Sequence, residues 1–179
     1  MKRVGIDIGG TKIEGLVINS QGEVILRERV PTERDNGYSH IIGQIEELYG
    51  KLSHHLTSTF LFGVCVPGPL NINEDKIKQG NTQALVGESL KEDIGSIFGA
   101  KPILDNDANC FTQAEASLGA GKNLSMVFGI ILGTGVGGGI AIDGHVYRGR
   151  QYIAVEWWHS VLYPGGIECF CGNQGCVEQ

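Results

Sequence analysis

Two glycine-rich segments with the same layout, residues 4–18 and 128–142, constrain this chain more than any other feature. In each segment an apolar run leads into a turn of Gly and Thr, and a second apolar run follows. This pattern predicts a β-hairpin whose turn adopts positive φ and lets a ligand approach the backbone. Gly5 and Gly129 lie 124 positions apart, and the same spacing relates Ile6 to Ile130, Gly9 to Gly133, and Gly15 to Gly139.

Either segment alone favours an ordinary hairpin turn over a binding loop, because short glycine motifs often occur by chance. The repeated layout, with Asp7 in the first strand and Thr in both turns, favours a functional interpretation. Bare N–H groups and a hydroxyl are suited to phosphate oxygens. We therefore expect the two hairpin turns to face one polyphosphate from opposite sides and to bind its oxygens.

Composition excludes several classes of protein. A chain of 179 residues with 41% hydrophobic residues can bury a core in one large or two small domains. A net charge of -6 and a pI near 5.3 argue against nucleic acid as a partner. No apolar run approaches the roughly 20 residues that span a bilayer. Five cysteines, an odd number, favour reduced thiols in the cytoplasm over a disulfide framework.

Hydrophobic periodicity predicts the order of the elements. We expect strands at 3–8, 13–18, 23–30, 61–66, 102–105, 125–132, 137–142 and 145–147, and helices at 38–57, 88–98 and from residue 107 to about 118. Residues 119–123 are the best candidate for a hinge. The predicted domains are 1–118, complete, and 119–179, which repeats only the opening part of the first.

Three thiols, at Cys169, Cys171 and Cys176, lie close together near the C-terminus, and His159 precedes them by ten positions. Three Cys and one His make a closed tetrahedral zinc site, which is usually structural. The alternative is three free thiols in a loop. We favour zinc, because unligated cysteines seldom cluster in this way.

Carboxylates and amides follow the predicted strand 102–105, at Asn106 and Asp107. In α/β enzymes such strand ends face the ligand crevice. Both side chains are also suited to cap the helix that follows. Capping and catalysis are compatible, because a cap also holds a catalytic carboxylate in place.

Taken together, these motifs resemble those of the ROK family of sugar kinases. The resemblance spans the whole chain and is carried, in order, by Asp7-x-Gly9-Gly10-Thr11-Lys12, Asn106-Asp107-Ala108-Asn109, Gly133-Thr134-Gly135-x-Gly137-x-Gly139, Glu156-x-x-His159 and Cys169-x-Cys171-Gly172-x-x-Gly175-Cys176-x-Glu178. Within the family, the N-acetylglucosamine kinases are the most similar and the fructokinases come next.

The resemblance implies an α/β fold of the actin-like ATPase type, with ribonuclease-H-like domains that close over sugar and ATP. It implies that Asp107 is the general base for the sugar 6-hydroxyl, which attacks the γ-phosphate in line. It implies that Asp7 orients hydrated Mg²⁺. It also implies that the two hairpin turns bind phosphates, the first through Gly9, Gly10, Thr11 and Lys12 and the second through Gly133, Thr134, Gly135 and Gly137. The residues that would bind sugar hydroxyls are Asn81, Asn106, Glu156, His159 and Glu178, with His159 also a zinc ligand through its other ring nitrogen.

The chain departs from the family pattern in three respects. Val155 and Trp158 replace two glycines beside Glu156 and His159, where bulky or β-branched side chains fit poorly. We therefore expect distortion of this segment and a blocked sugar side of the cleft. The family kinases also continue well past residue 179, through another glycine-rich turn near the adenosine.

The sequence thus predicts the N-terminal part of an ATP-dependent hexose or N-acetylhexosamine kinase, weak or inactive by itself. One alternative is a non-catalytic, zinc-binding remnant with residual sugar binding, and another is a fructokinase or glucokinase of the same family. A transcriptional repressor of the family is disfavoured, because only six residues precede Asp7. The expected partners are sugar and ATP, with neither nucleic acid nor membrane, and a homodimer stays open.

Overall fold

The computed structural model describes residues 1–71, 75–78, 80, 82–133, 135–150, 154–155, 157–169 and 171–179. These residues divide into two compact units, Met1–Asn106 and Asp107–Gln179. Each unit has its own main sheet.

The first unit is built on a mixed sheet. Its elements are β1 (Lys2–Ile8), β2 (Lys12–Ile18), β3 (Val24–Pro31), α1 (Tyr38–Ser53), β4 (Phe60–Val66), β5 (Leu70–Asn71), β6 (Lys76–Ile77), α2 (Leu90–Phe98) and β7 (Ile103–Asn106). The main sheet has the order β3-β2-β1-β4-β7, in which β1, β4 and β7 are parallel and β2 is antiparallel to both neighbours. The short strands β5 and β6 pair with each other.

Helix α1 covers the sheet of the first unit with its apolar side. Ile41, Ile45, Leu48 and Leu52 recur at helical spacing and are fully buried. A methyl group at Gly15 on β2 would lie 2.8 Å from Cδ1 of Leu52, so glycine lets the helix approach the strand. The helix ends at Ser53 and not at residue 57 as predicted, because the backbone N–H of His55 and that of Leu56 already close turns on Leu52 and Ser53.

The second unit begins with a helix. Its elements are α3 (Asp107–Leu118), β8 (Met126–Leu132), β9 (Val136–Ile142) and β10 (His145–Val146), and the sheet has the order β10-β9-β8 with antiparallel pairs. Within the described part of the chain, no helix is both long and apolar enough to cross a membrane.

The boundary between the units lies at the start of α3, whereas we expected it in the segment 119–123. Helix α3 packs on β8 and β9, and Thr112 at its centre is completely buried. A methyl group at Gly129 or Gly139 would overlap the Thr112 side chain. These glycines hold the helix against its sheet, and for that reason α3 groups with the second unit.

The two hairpins differ by one residue. Ile6 pairs with Gly15 in the first hairpin, whereas its counterpart Ile130 pairs with Gly138, and not with Gly139, in the second. The predicted 124-residue equivalence therefore applies to the leading strands and slips by one position in the returning strands, because the second turn is a residue shorter. Gly9 and Gly10 also lack the expected positive φ.

Candidate active site and metal cluster

Acidic residues line the carboxyl edge of the first unit's parallel strands. Asp7 on β1 is in register with Cys65 on β4, which in turn is in register with Asp105 on β7. Neighbouring strands are about 4.8 Å apart, so the two aspartates stand roughly 10 Å apart on one face. Asp105 is 9% exposed and accepts a hydrogen bond from the backbone N–H of Asn106 at 2.9 Å. Asp105 directly precedes the Asn106-Asp107 motif and lies outside the residues to which the family resemblance assigns a role.

Asn106 and Asp107 stand where β7 ends and α3 begins. Asn106 is buried, at 8% exposure. The carboxylate Oδ1 of Asp107 accepts a hydrogen bond from the backbone N–H of Ala108 at 2.8 Å, which ties it to the first turn of the helix. Burial raises the pKa of Asp107, although hydrogen bonds from the backbone oppose the shift. A carboxylate with a raised pKa is a stronger proton acceptor, as a general base requires.

The turn of the first hairpin is fixed by its own backbone. The N–H of Gly9 donates to the carbonyl of Lys12 at 2.9 Å, and the Thr32 hydroxyl donates to the carbonyl of Gly9 at 2.7 Å. A methyl group at Gly10 would lie 3.2 Å from Nη1 of Arg34. The guanidinium of Arg34 therefore stands over the glycine turn. The sequence motifs did not point to this cation, because it follows the hairpin on the next connection.

The turn of the second hairpin is held by a carboxylate. The N–H of Gly133 donates to the carbonyl of Gly135 at 2.9 Å, and the N–H of Val136 donates to Oε2 of Glu178 at 3.0 Å. Glu178, predicted to bind sugar, thus contacts the base of the predicted phosphate turn. Gly137 lies against α3, where a methyl group would be 3.3 Å from Cβ of Ala108.

The His159 and cysteine cluster is assembled. One ligand atom from each of His159, Cys169, Cys171 and Cys176 lies within 4.8 Å of every other, which brings together all four predicted metal ligands. Nδ1 of His159 is 3.6 Å from Sγ of Cys169, and Sγ of Cys171 is 3.6 Å from Sγ of Cys176. Because Nδ1 faces the thiols, Nε2 lies on the opposite edge of the ring.

The thiols of this cluster differ in acidity. A backbone hydrogen bond involving Cys171 lowers the pKa of Cys169 to about 7, and hydrogen bonds from neighbouring side chains act in the same direction. Burial, together with the neighbouring thiols, raises the pKa of Cys176 to about 12. Side chains that crowd around one point and perturb one another in this way are typical of a metal site.

Val155 and Trp158 are accommodated by a glycine on the neighbouring strand. Their side chains are 8% and 7% exposed, and neither backbone is left-handed. A methyl group at Gly138 on β9 would lie 3.3 Å from Cζ3 of Trp158 and 3.4 Å from Cγ1 of Val155. The two bulky residues therefore fill space that the glycine leaves open, and strain at either position is not required.

Three predicted site residues, Asn81, Thr134 and Glu156, lie outside the described residues. Among the others, the structure brings the side chains of the four predicted metal ligands together. The roles of the individual side chains toward sugar and nucleotide remain predictions.

The fold and these residues define a mixed α/β protein of the actin-like ATPase type. The chain belongs to the ROK family, whose profile matches residues 3–179. It is 34% identical over 184 aligned residues to an N-acetyl-D-glucosamine kinase of Yersinia enterocolitica, and the alignment covers 97% of the chain. These findings confirm the predicted family and fold class.

Solved structures agree with this assignment. A ROK family glucokinase from Streptomyces griseus, in complex with glucose and AMPPNP, superposes with a TM-score of 0.87 at 32% identity and covers all of this chain and 56% of its own. A ROK hexokinase from Thermus thermophilus has a TM-score of 0.79 at 30% identity, over 99% of this chain and 59% of its own. The chain spans about 60% of the length of the Yersinia relative.

Proposed function

We propose that this chain is the sugar- and phosphate-binding part of an ATP-dependent kinase that phosphorylates the 6-hydroxyl of N-acetylglucosamine or a related hexose. The observation that carries the proposal is the placement of Asp107. It is a carboxylate at the first position of helix α3, directly after the carboxyl end of a parallel strand, in a chain that matches the ROK family almost from end to end. Such strand ends are where α/β enzymes bind their ligands.

In this mechanism Asp107 accepts the proton of the sugar 6-hydroxyl as that oxygen attacks the γ-phosphorus of ATP. The bond to the β,γ-bridging oxygen breaks, and ADP leaves. The hydrogen bond from Ala108 holds one carboxylate oxygen in place. Partial desolvation raises the pKa of Asp107, which makes proton transfer more favourable than for a fully solvated aspartate.

The two hairpin turns bind the phosphates. The residues involved are Gly9, Gly10, Thr11 and Lys12 in the first turn and Gly133, Thr134, Gly135 and Gly137 in the second. Arg34 adds a guanidinium beside Gly10, suited to phosphate oxygens. Asp7 supplies the hard oxygen ligand that Mg²⁺ prefers. The ion neutralises charge on the transferred phosphoryl group when it is bound.

We further propose that His159, Cys169, Cys171 and Cys176 hold one structural zinc ion. Tetrahedral zinc with ordinary bond lengths separates its ligand atoms by about 3.5–3.8 Å. The separations of 3.6 Å between His159 and Cys169 and between Cys171 and Cys176 lie within that range. With Nδ1 on the metal, Nε2 would be the nitrogen that binds a sugar hydroxyl, and the same residue would then join the metal loop to the substrate.

Sugar recognition is assigned by family resemblance to Asn81, Asn106, Glu156, His159 and Glu178. N-acetylglucosamine is favoured by the Yersinia relative, and glucose by the Streptomyces structure. Reduced thiols and dependence on ATP both suit the cytoplasm. The alternative is a zinc-binding remnant that retains sugar binding and does not transfer phosphate.

A fusion protein tests the proposal. The chain is joined at Gln179 to the C-terminal part of the Yersinia kinase that lies beyond the match, and ADP release is measured with N-acetylglucosamine, glucose and fructose. We expect a kcat on the order of 1–100 s⁻¹ with one of these sugars. Calorimetric sugar binding with no turnover on any of them would support the remnant and reject the kinase.

A further inference from the structure

The backbone conformation of Gly10, in the turn of the first hairpin, does not require glycine. Its φ lies outside the left-handed region, where other residues are strained. A methyl group added to Gly10 would lie 3.2 Å from Nη1 of Arg34 and 3.8 Å from Oγ1 of Thr82. The missing side chain therefore lets a guanidinium and a hydroxyl flank the α-carbon of this turn residue.

The hydroxyl of Thr82 is turned toward the hairpin and away from its own backbone. Thr82 stands at the N-cap of the short 3₁₀ turn Gln83–Leu85, where a threonine side chain ordinarily accepts a hydrogen bond from a backbone N–H of the turn. This side chain makes no such capping bond. Its oxygen lies instead beside Gly10, which belongs to the turn expected to bind phosphate.

The same hydroxyl is buried without a partner. Thr82 is 1% exposed, and among the residues that the structure describes none forms a hydrogen bond with its Oγ1. The backbone is fixed, because the carbonyl of Thr82 accepts a hydrogen bond from the N–H of Leu85 at 3.0 Å and Leu85 is fully buried. A buried hydroxyl without a hydrogen bond lowers the stability of a protein. A ligand that accepts this hydrogen bond would remove the cost.

Arg34 supplies the charge that the neutral hydroxyl lacks. Its side chain is 40% exposed, and its long stem permits the small movement that lets a ligand enter beside Gly10. Guanidinium N–H groups are suited to phosphoryl oxygens, which lie on one tetrahedral phosphorus. One phosphoryl group can therefore accept hydrogen bonds from Arg34 and from Thr82 at once. All three residues belong to the first unit.

We propose that Thr82 and Arg34 bind one phosphoryl group together, above the α-carbon of Gly10. Thr82 is then a phosphate-binding residue, a role that none of the sequence motifs indicates. The proposal rests on the proposed function in one respect, that the first hairpin turn binds phosphate. The phosphoryl group comes from one of two sources, the nucleotide before transfer or the sugar phosphate after it.

Thr82→Val tests the proposal in the 179-residue chain, because valine keeps the shape of threonine and lacks the hydroxyl. The dissociation constants of AMPPNP and of glucose 6-phosphate are measured by NMR titration of the Gly10 amide. We expect the variant to raise at least one of them about tenfold or more, since a hydrogen bond to a charged oxygen is lost. The compound affected identifies the source of the phosphoryl group. Binding of glucose, which carries no phosphate, should not change.

Urea unfolding without ligand gives a second readout. Because the Thr82 hydroxyl has no partner to lose, Thr82→Val should leave the urea midpoint unchanged or raise it. Thr112→Val is the matched control, because Thr112 is equally buried and its hydroxyl donates to the carbonyl of Ala108 at 2.7 Å. This control should lower the midpoint and keep both dissociation constants within about twofold of the parent values.

Three results would overturn the proposal. The first is that neither phosphate compound binds the parent chain, and the second is that Thr82→Val leaves both dissociation constants unchanged. The third is that Thr82→Val lowers the urea midpoint as Thr112→Val does, since the hydroxyl would then have a partner inside the protein. Phosphate binding that depends on Thr82, in a fusion protein that transfers no phosphate, would support this proposal and reject the proposed kinase.

Discussion

Trp158 packs on Gly138 of β9, close enough that a methyl group at the glycine would lie 3.3 Å from Cζ3 of the indole. The family resemblance predicts glycine at this position, and the side chain of the tryptophan is 7% exposed. The local structure has therefore adapted to the bulky residue through a glycine on the facing strand.

Trp158→Gly should accordingly lower the free energy of unfolding of the protein and not raise it. Removal of a buried aromatic ring leaves a cavity, and such changes cost about 3–5 kcal/mol in the free energy of unfolding. Urea unfolding, followed by circular dichroism, measures the loss. Tyr163→Gly, at a position 73% exposed, should cost much less. Equal losses in the two variants would show that Trp158 does not support the fold.

Close packing at Gly139 gives a second prediction. A methyl group there would overlap Thr112 and approach the carbonyl oxygen of Ala108 to 2.9 Å, so Gly139→Ala should force α3 off its sheet. We expect a loss of about 1–3 kcal/mol in thermal or urea unfolding. Gly43→Ala is the control, because nothing lies within 4 Å of that position and alanine favours a helix by about 1 kcal/mol.

Removal of the proposed zinc should unfold the loop that carries it, because the free energy of metal binding is also folding free energy. Atomic absorption of protein kept from chelators should give about one zinc per chain, and Cys171→Ala should lower that occupancy. Cys65→Ala, outside the cluster, should not. Zinc-free protein in which residues 169, 171 and 176 titrate as free thiols would contradict the assignment.

Asp107→Asn tests the general base in the fusion protein described above. The amide keeps the size of the side chain and cannot accept a proton, so kcat should fall about 10²- to 10⁴-fold. The dissociation constant for sugar, measured by calorimetry, should change little. An unchanged kcat would reject Asp107 as the base.

The raised pKa of Asp107 predicts the acidic limb of the pH profile in that fusion. The base acts only when deprotonated, so kcat should fall as the pH drops through its pKa. Burial raises that pKa, and the limb should therefore lie above the usual range for an aspartate. Asp107→Asn should abolish this limb. A profile that stays flat down to the ordinary aspartate range would contradict the assignment.

Periodicity and glycine placement predicted the main strands and helices, because alternation and helical spacing are local properties of the chain. The spacing of the thiols and His159 predicted the metal cluster for the same reason, and the structure brings those four residues together. The position of Arg34 over Gly10 and the contact of Glu178 with Val136 were missed, since neither is encoded in a local pattern.

The sequence by itself determined the strand order along the chain, the family motifs and the identity of the residues that carry chemistry. Tertiary structure decided which sheet α3 covers, because the fit of Thr112 against Gly129 and Gly139 joins positions far apart in sequence. It also decided that Trp158 is tolerated, since the space it fills is provided by Gly138 on another strand. Packing depends on volumes that meet only after the chain has folded, and a linear pattern does not contain them.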